Sequence, residues 1–119
     1  MNQQTVDIFN PKTIRATMGS IFRVPFVYVS ELSPVLTQMH ERGIHTYAAH
    51  LKGQKYYDSF SFREPIAFLI GNEGNGLTKE ISDQAGQYLK IPMEGKVESL
   101  NASIAAALLM YEAHRQRNL

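Results

Sequence analysis

Apolar residues along this chain recur with two spacings that take turns. Residues 66–70 read Ile-Ala-Phe-Leu-Ile with no polar break, the pattern of a strand buried on both faces. Residues 45–51 and 88–91 are predicted as further strands, and 26–29 (Phe-Val-Tyr-Val) is a β-rich run set off by Pro25. Between them the spacing turns helical. Asn10-Pro11 is a strong helix start, with Asn10 as N-cap, Pro11 as first helical residue and Phe9 placed to staple onto Ile14. The spacing predicts a helix from there to about Phe22. It would bury Ile14, Met18, Ile21 and Phe22 and group Lys12, Arg15 and Arg23 on another face. Ser33-Pro34 opens a second helix ending near Gly43, Thr78 caps a short third one closed by Gly86, and Ser99 or Asn101 caps a last helix running towards Arg117.

Strands alternating with helices, with uninterrupted apolar strands, predict an α/β fold whose mostly parallel sheet is covered by helices on both faces. Ligands of such sheets sit beyond the carboxyl ends of the strands, so the loops at 71–77 and 92–100 are the expected walls of a site. The last helix is apolar at every position from 104 to 111, which leaves no face plainly meant for water. A small domain cannot easily wrap such a helix alone, and a homodimer contact is expected there. The polar segment 52–64 is predicted to be a loop, whose Tyr56, Tyr57, Phe60 and Phe62 either pin it to the core or stack on bases.

Composition narrows the chemistry. At 119 residues the chain fits one domain over 1–119, and 44% hydrophobic with 19% charged residues is the make-up of a globular protein. A formal charge of +1 advertises no nucleic-acid partner as a whole, so a basic patch must be local, and Lys12, Arg15 and Arg23 are the first candidate. With no cysteine there are no disulfides, no thiolate catalysis and none of the usual structural zinc sites, which fits a reducing, cytoplasmic setting. The histidines, at 40, 45, 50 and 114, show no ligand spacing, so no metal is expected. No apolar run is long enough to span a membrane, and no export signal precedes the first helix.

The loop after the 66–70 strand, Ile-Gly-Asn-Glu-Gly-Asn-Gly-Leu (70–77), invites comparison with phosphate cradles and fails it. Lys79 falls too late for a P-loop and no Ser or Thr follows it; Gly71, Gly74 and Gly76 run in the reverse order of a dinucleotide fingerprint; Glu73 would repel a phosphate. The loop is either a turn whose glycines supply positive φ or a holder of a ligand that is not polyanionic. Asn72, Glu73 and Asn75 exceed what a turn requires. In Glu98-Ser99-Leu100-Asn101-Ala102-Ser103, helix capping explains most of the polar residues, and the same side chains also border the expected site.

Three segments, NPKTIRATMGSIFRVPF (10–26), AFLIGNEGNGLTKE (67–80) and IPMEGKVESLNASIAAALLMYEAHRQ (91–116), resemble the SpoU/TrmH family of RNA ribose 2′-O-methyltransferases, the last two matching its second and third motifs in residue type and spacing. The resemblance implies the SPOUT-type fold, with a trefoil-knotted C-terminal region, S-adenosylmethionine (SAM) as cofactor, ribosomal or transfer RNA as substrate, and a dimer through the last helix. Carried over by position, it implies cofactor contacts at Gly71, Ile91 and Leu100, largely through backbone groups, and site roles for Glu73, Ser99 and Asn101 in ordering the loops and positioning ribose and methyl donor. SAM carries a cationic sulfonium and a neutral adenine, which suits backbone donors and acceptors beside a carboxylate.

The family's first motif, Asn-x-Gly followed by an arginine that works on the 2′-oxygen with a substrate phosphate, lies upstream of the Asn-Pro-Lys segment. This chain starts nine residues before Asn10, so that arginine is expected outside it, and the chain is expected to be the C-terminal part of such an enzyme. Arg15 and Arg23 match a different family position. A noncatalytic, dimeric SAM- or RNA-binding remnant is the alternative expectation, and a plain nucleotide-binding module a third.

Overall fold

Asn10 and Pro11 start the first helix of the computed structural model, which describes residues 1, 2, 5, 7–50, 52–71, 76–93 and 101–118. The chain forms two compact units, Met1–Leu32 and Ser33–Leu119. In the first, the Asn10 carboxamide accepts the Lys12 N–H at 2.9 Å and Pro11 opens helix α1, Pro11–Ala16. The helix is shorter than its spacing predicts. Met18 (φ +52°) and Gly19 (φ +88°) turn left-handed, which a right-handed helix cannot continue through, and only a 3₁₀ turn at Ser20–Phe22 follows. The predicted buried side breaks with it: Met18 and Phe22 are 88% and 87% exposed, while Ile14 and Ile21 are half-buried. Arg23, past the left-handed turn, no longer shares a helical phase with Lys12 and Arg15.

The run at 26–29 is extended but forms no named strand. Val29 donates its N–H to the Met1 carbonyl at 2.7 Å, the Met1 ammonium reaches the Val27 carbonyl at 2.9 Å, and a single parallel bridge joins Asn2 and Val29. Phe9 meets Phe26 edge to face, with ring centroids 5.8 Å apart. An apolar cleft of about 540 Å³, lined among others by Ile8, Ile21, Val24 and Phe26, lies within this unit and includes none of the predicted site residues.

The second unit follows the prediction closely. Helix α2 (Ser33–Glu41) precedes Gly43, which takes the left-handed φ of +75° that a helix end favours. Strands β1 (His45–Ala49), β2 (Ile66–Leu69) and β3 (Gln87–Leu89) form a sheet in the order β2-β1-β3, and both pairings are parallel. Helix α3 (Lys79–Gln84) is capped by the Thr78 hydroxyl, which accepts the Ile81 N–H at 3.3 Å. Gly86 does not end it by a left-handed turn; it lets the chain pass close to β1, where an added Cβ would stand 3.2 Å from the Thr46 carbonyl oxygen. Helix α4 (Ala102–Arg117) completes the unit.

Successive residues of a strand face opposite sides of a sheet, and β1 shows that both sides are covered. Thr46 hydrogen-bonds His40 of α2, whereas Tyr47 packs in a cluster with Phe62, Leu89, and Leu109 and Ala113 of α4. The segment 52–64, predicted as a polar loop, is a loop with a 3₁₀ turn at Tyr57–Ser59, and its aromatics mostly pin it down. Phe62 is fully buried, 5.2 Å from the Tyr47 ring and 5.1 Å from that of Phe68, both edge to face.

The end of α4 fastens this segment. Gln116 accepts the Phe62 N–H at 2.6 Å and donates to the Phe60 carbonyl at 2.9 Å; Arg117 donates to the carbonyls of Phe62 and Glu64, each at 2.9 Å. Two hydrogen bonds from Arg115 and one from Gln116 hold the Glu112 carboxyl down to about 2. In the single chain Ala105, Leu109 and Ala113 of this helix form a buried stripe four residues apart, and Ile104, Met110 and Tyr111 are exposed.

Candidate functional site

Because all three strands run the same way, every strand delivers its following residue to one edge of the sheet. Leu69 pairs with Ala48 and Leu89 with Ala49, so Gly71 and Ile91 each stand two residues past the last paired position. They flank His50 at the end of the central strand. Neighbouring strands lie about 4.8 Å apart, which puts the two exits roughly 10 Å from each other across β1.

Gly71 lies against Gly76 and Leu77. A Cβ on Gly71 would stand 2.5 Å from the Gly76 carbonyl carbon and against the Leu77 amide nitrogen, and Gly76 takes a φ of +65°. Gly71 is therefore glycine for close backbone approach and Gly76 for its left-handed turn. Ile70 and Ile91, both half-buried, pack against the aromatic cluster and give this edge an apolar floor.

A third element borders the edge. After His50, whose N–H donates to the Leu89 carbonyl at 3.0 Å, the chain crosses the end of β3 and pairs with its far side, Tyr56 bridging Lys90 in parallel. Gly53 permits the crossing: a Cβ there would come within 2.9 Å of the Leu89 carbonyl carbon. The His50 ring stacks on Tyr88 with centroids 4.6 Å apart, and its Nδ1 accepts the Lys52 N–H at 3.0 Å. The Tyr88 hydroxyl donates to Asp83 at 3.1 Å, and partial desolvation, with that carboxylate, raises the phenol above its ordinary range.

Of the predicted site residues, Gly71 and Ile91 are brought to one edge, and Asn101 stands at the start of α4, where its carboxamide oxygen accepts the N–H groups of Ser103 (2.9 Å) and Ile104 (3.4 Å). Glu73, Ser99 and Leu100 lie outside the described residues. Lys12, Arg15 and Arg23 are exposed, with Arg23 donating to the Ser20 hydroxyl at 3.3 Å. His50 stands at the end of the central strand, between the two exits. Among the described residues no group of His, Asp or Glu could hold a metal ion, and no helix is long and apolar enough to cross a membrane. An apolar floor between the exits of two loops fits a neutral purine nucleoside.

The sequence of the SpoU rRNA Methylase family matches residues 1–111. A Bacillus subtilis protein named as a TrmH family tRNA/rRNA methyltransferase, YacO, is 38% identical over 104 residues, which are 87% of this chain and 42% of that protein. The SpoU methyltransferase AviRb of Streptomyces viridochromogenes, solved in complex with the cofactor AdoMet (SAM), superposes with a TM-score of 0.89 at 33% identity, over 98% of this chain and 48% of that one. A solved RNA 2′-O ribose methyltransferase superposes with a TM-score of 0.84 at 36% identity, over 97% of this chain and 44% of that one. The chain thus spans less than half the length of these relatives. Matched along nearly its whole length by sequence and by fold, it belongs to the SpoU rRNA methylase family.

Proposed function

We propose that this chain binds SAM at the carboxyl edge of its sheet and serves the 2′-O-methylation of ribose in ribosomal or transfer RNA. The observation that carries the reading is the joint exit of the Gly71 and Ile91 loops on either side of β1, in a chain whose solved relatives include one with bound AdoMet and one titled an RNA 2′-O ribose methyltransferase. When bound, SAM supplies an activated methyl group. The chain's own part is to hold the adenosyl moiety through backbone groups of Gly71, Ile91 and Leu100 over the apolar floor. Glu73, Ser99 and Asn101 order the two loops and orient the ribose, Asn101 by fixing the first turn of α4. Lys12, Arg15 and Arg23 offer exposed cations to RNA phosphates. The exposed Ile104, Met110 and Tyr111 side of α4 is the contact of a homodimer, and the segment after β3 forms the knot of the SPOUT fold.

Incubating the chain with methyl-labelled SAM and ribosomal or transfer RNA, then digesting the RNA to nucleosides, tests the reading. Label in 2′-O-methylnucleosides is the expected result, and label on a base would overturn the 2′-O assignment. SAM and RNA binding without transfer would instead assign the noncatalytic role.

A further inference from the structure

Three lysines and an exposed tyrosine gather where the chain crosses the end of β3. The Lys90 N–H donates to the Lys55 carbonyl and the Tyr57 N–H to the Lys90 carbonyl, each at 2.9 Å, and Tyr56 bridges Lys90. Gly53, seated against the Lys90 amide, holds Lys52 beside the same place. On this fixed backbone the side chains of Lys52, Lys55 and Tyr56 are exposed and that of Lys90 is half-buried.

Among the described residues none of the three ammonium groups has an ion pair, since the pairs formed are His45 with Glu64 and Arg115 with Glu112. Asp83 accepts the Tyr88 hydroxyl at 3.1 Å. Like charges within a Debye length of about 8 Å repel, and a bound anion relieves that repulsion. In a chain of net charge +1 this concentration of cations is local.

We infer that the ridge of Lys52, Lys55, Tyr56 and Lys90 holds single-stranded RNA at the lip of the candidate site, phosphates on the ammonium groups and a base on the Tyr56 ring. The inference rests on the RNA methylation reading above and adds a surface to it. Lys90 immediately precedes Ile91, so a strand held here runs along the wall of the proposed cofactor site. Flexible cations on a rigid backbone with one exposed aromatic suit a sugar-phosphate chain; a protein partner would call for an apolar centre, and Tyr56 is the one large apolar group on the ridge.

The test is fluorescence anisotropy of a short labelled oligoribonucleotide of mixed sequence with the 119-residue chain, over a range of salt, beside calorimetric titration of SAM. The Lys52→Ala/Lys55→Ala variant is expected to flatten the slope of log affinity against log salt by about 1.4, two contacts at about 0.7 each. Tyr56→Ala is expected to weaken binding about tenfold with the slope kept, and Tyr56→Phe to restore it. SAM affinity should be the same in all three. Unchanged RNA affinity and slope in the double lysine variant would overturn the ridge even if SAM binds. RNA binding that depends on the ridge in a chain that takes up no SAM would instead support the ridge and remove the cofactor reading.

Discussion

The two sides of β1 are built from opposite materials. On the Tyr47 side, aromatic rings meet edge to face and apolar residues of α4 close over them. On the Thr46 side one buried hydroxyl does the joining: at 2.8 Å it accepts the Gly86 N–H, and at 2.8 Å it meets His40 of α2. A polar tie continues between α2 and α3, where Gln84 donates to the Ser33 hydroxyl at 2.8 Å. Area burial is non-directional and tolerates adjustment, whereas a hydrogen bond in a dry place fixes position and is costly to leave half-made. The first side therefore supplies most of the stability, and the second fixes how α2 and α3 sit on the sheet.

The largest effect is expected on the aromatic side. Phe62→Ala empties the centre of the cluster and should cost about 3–5 kcal/mol in urea unfolding, as large-to-small changes in a packed core do. Thr46→Val keeps the shape but strands the Gly86 N–H and the His40 ring, at about 1–3 kcal/mol, while Thr46→Ser keeps the hydroxyl and should cost only the lost buried methyl, about 1 kcal/mol. Equal losses from Phe62→Ala and Thr46→Val would erase the contrast between the sides. Ser82, buried in α3 with an unpartnered hydroxyl among the described residues, should go the other way: Ser82→Ala is expected to raise the thermal midpoint, corresponding to about 1 kcal/mol.

The smallest effect concerns pH. Glu112, ordinarily near 4.5, is held down to about 2, so the stability it contributes is fully present above about 4.5 and lost as pH falls through about 2. Its partner Arg115 is largely exposed, which screens the pair to about 1 kcal/mol or less. Comparing acid unfolding of Glu112→Gln with the parent isolates this part, and identical pH profiles would show that the carboxylate contributes nothing.

Most of the second unit was legible because its signals are local. Asn101 and Thr78 announce helix starts, and an unbroken Ile-Ala-Phe-Leu-Ile run announces a covered strand. The first unit resisted the same reading. Helical spacing runs on through Met18, and nothing in a methionine side chain signals a φ of +52°; only Gly19 hinted at the break. Phe62 was legible as one of four aromatics able to pin the loop, but not as the fully buried one, since its backbone is held by Gln116 and Arg117, more than fifty residues away. For the candidate site, the exits at Gly71 and Ile91 were legible from the strand pattern, but the segment that crosses beside them was not. The crossing at Gly53 depends on contact with Leu89 and Lys90, which a single stretch of sequence does not contain.

The central claim is that the edge between the Gly71 and Ile91 loops is a SAM site. Isothermal titration of SAM into the purified chain tests it most directly, with Ile91→Asp, which charges the apolar floor, as the companion variant. Saturable binding by the parent and loss of it in Ile91→Asp, with the circular dichroism spectrum unchanged, is the expected result. No binding by the parent, or equal affinity in the variant, would contradict the account.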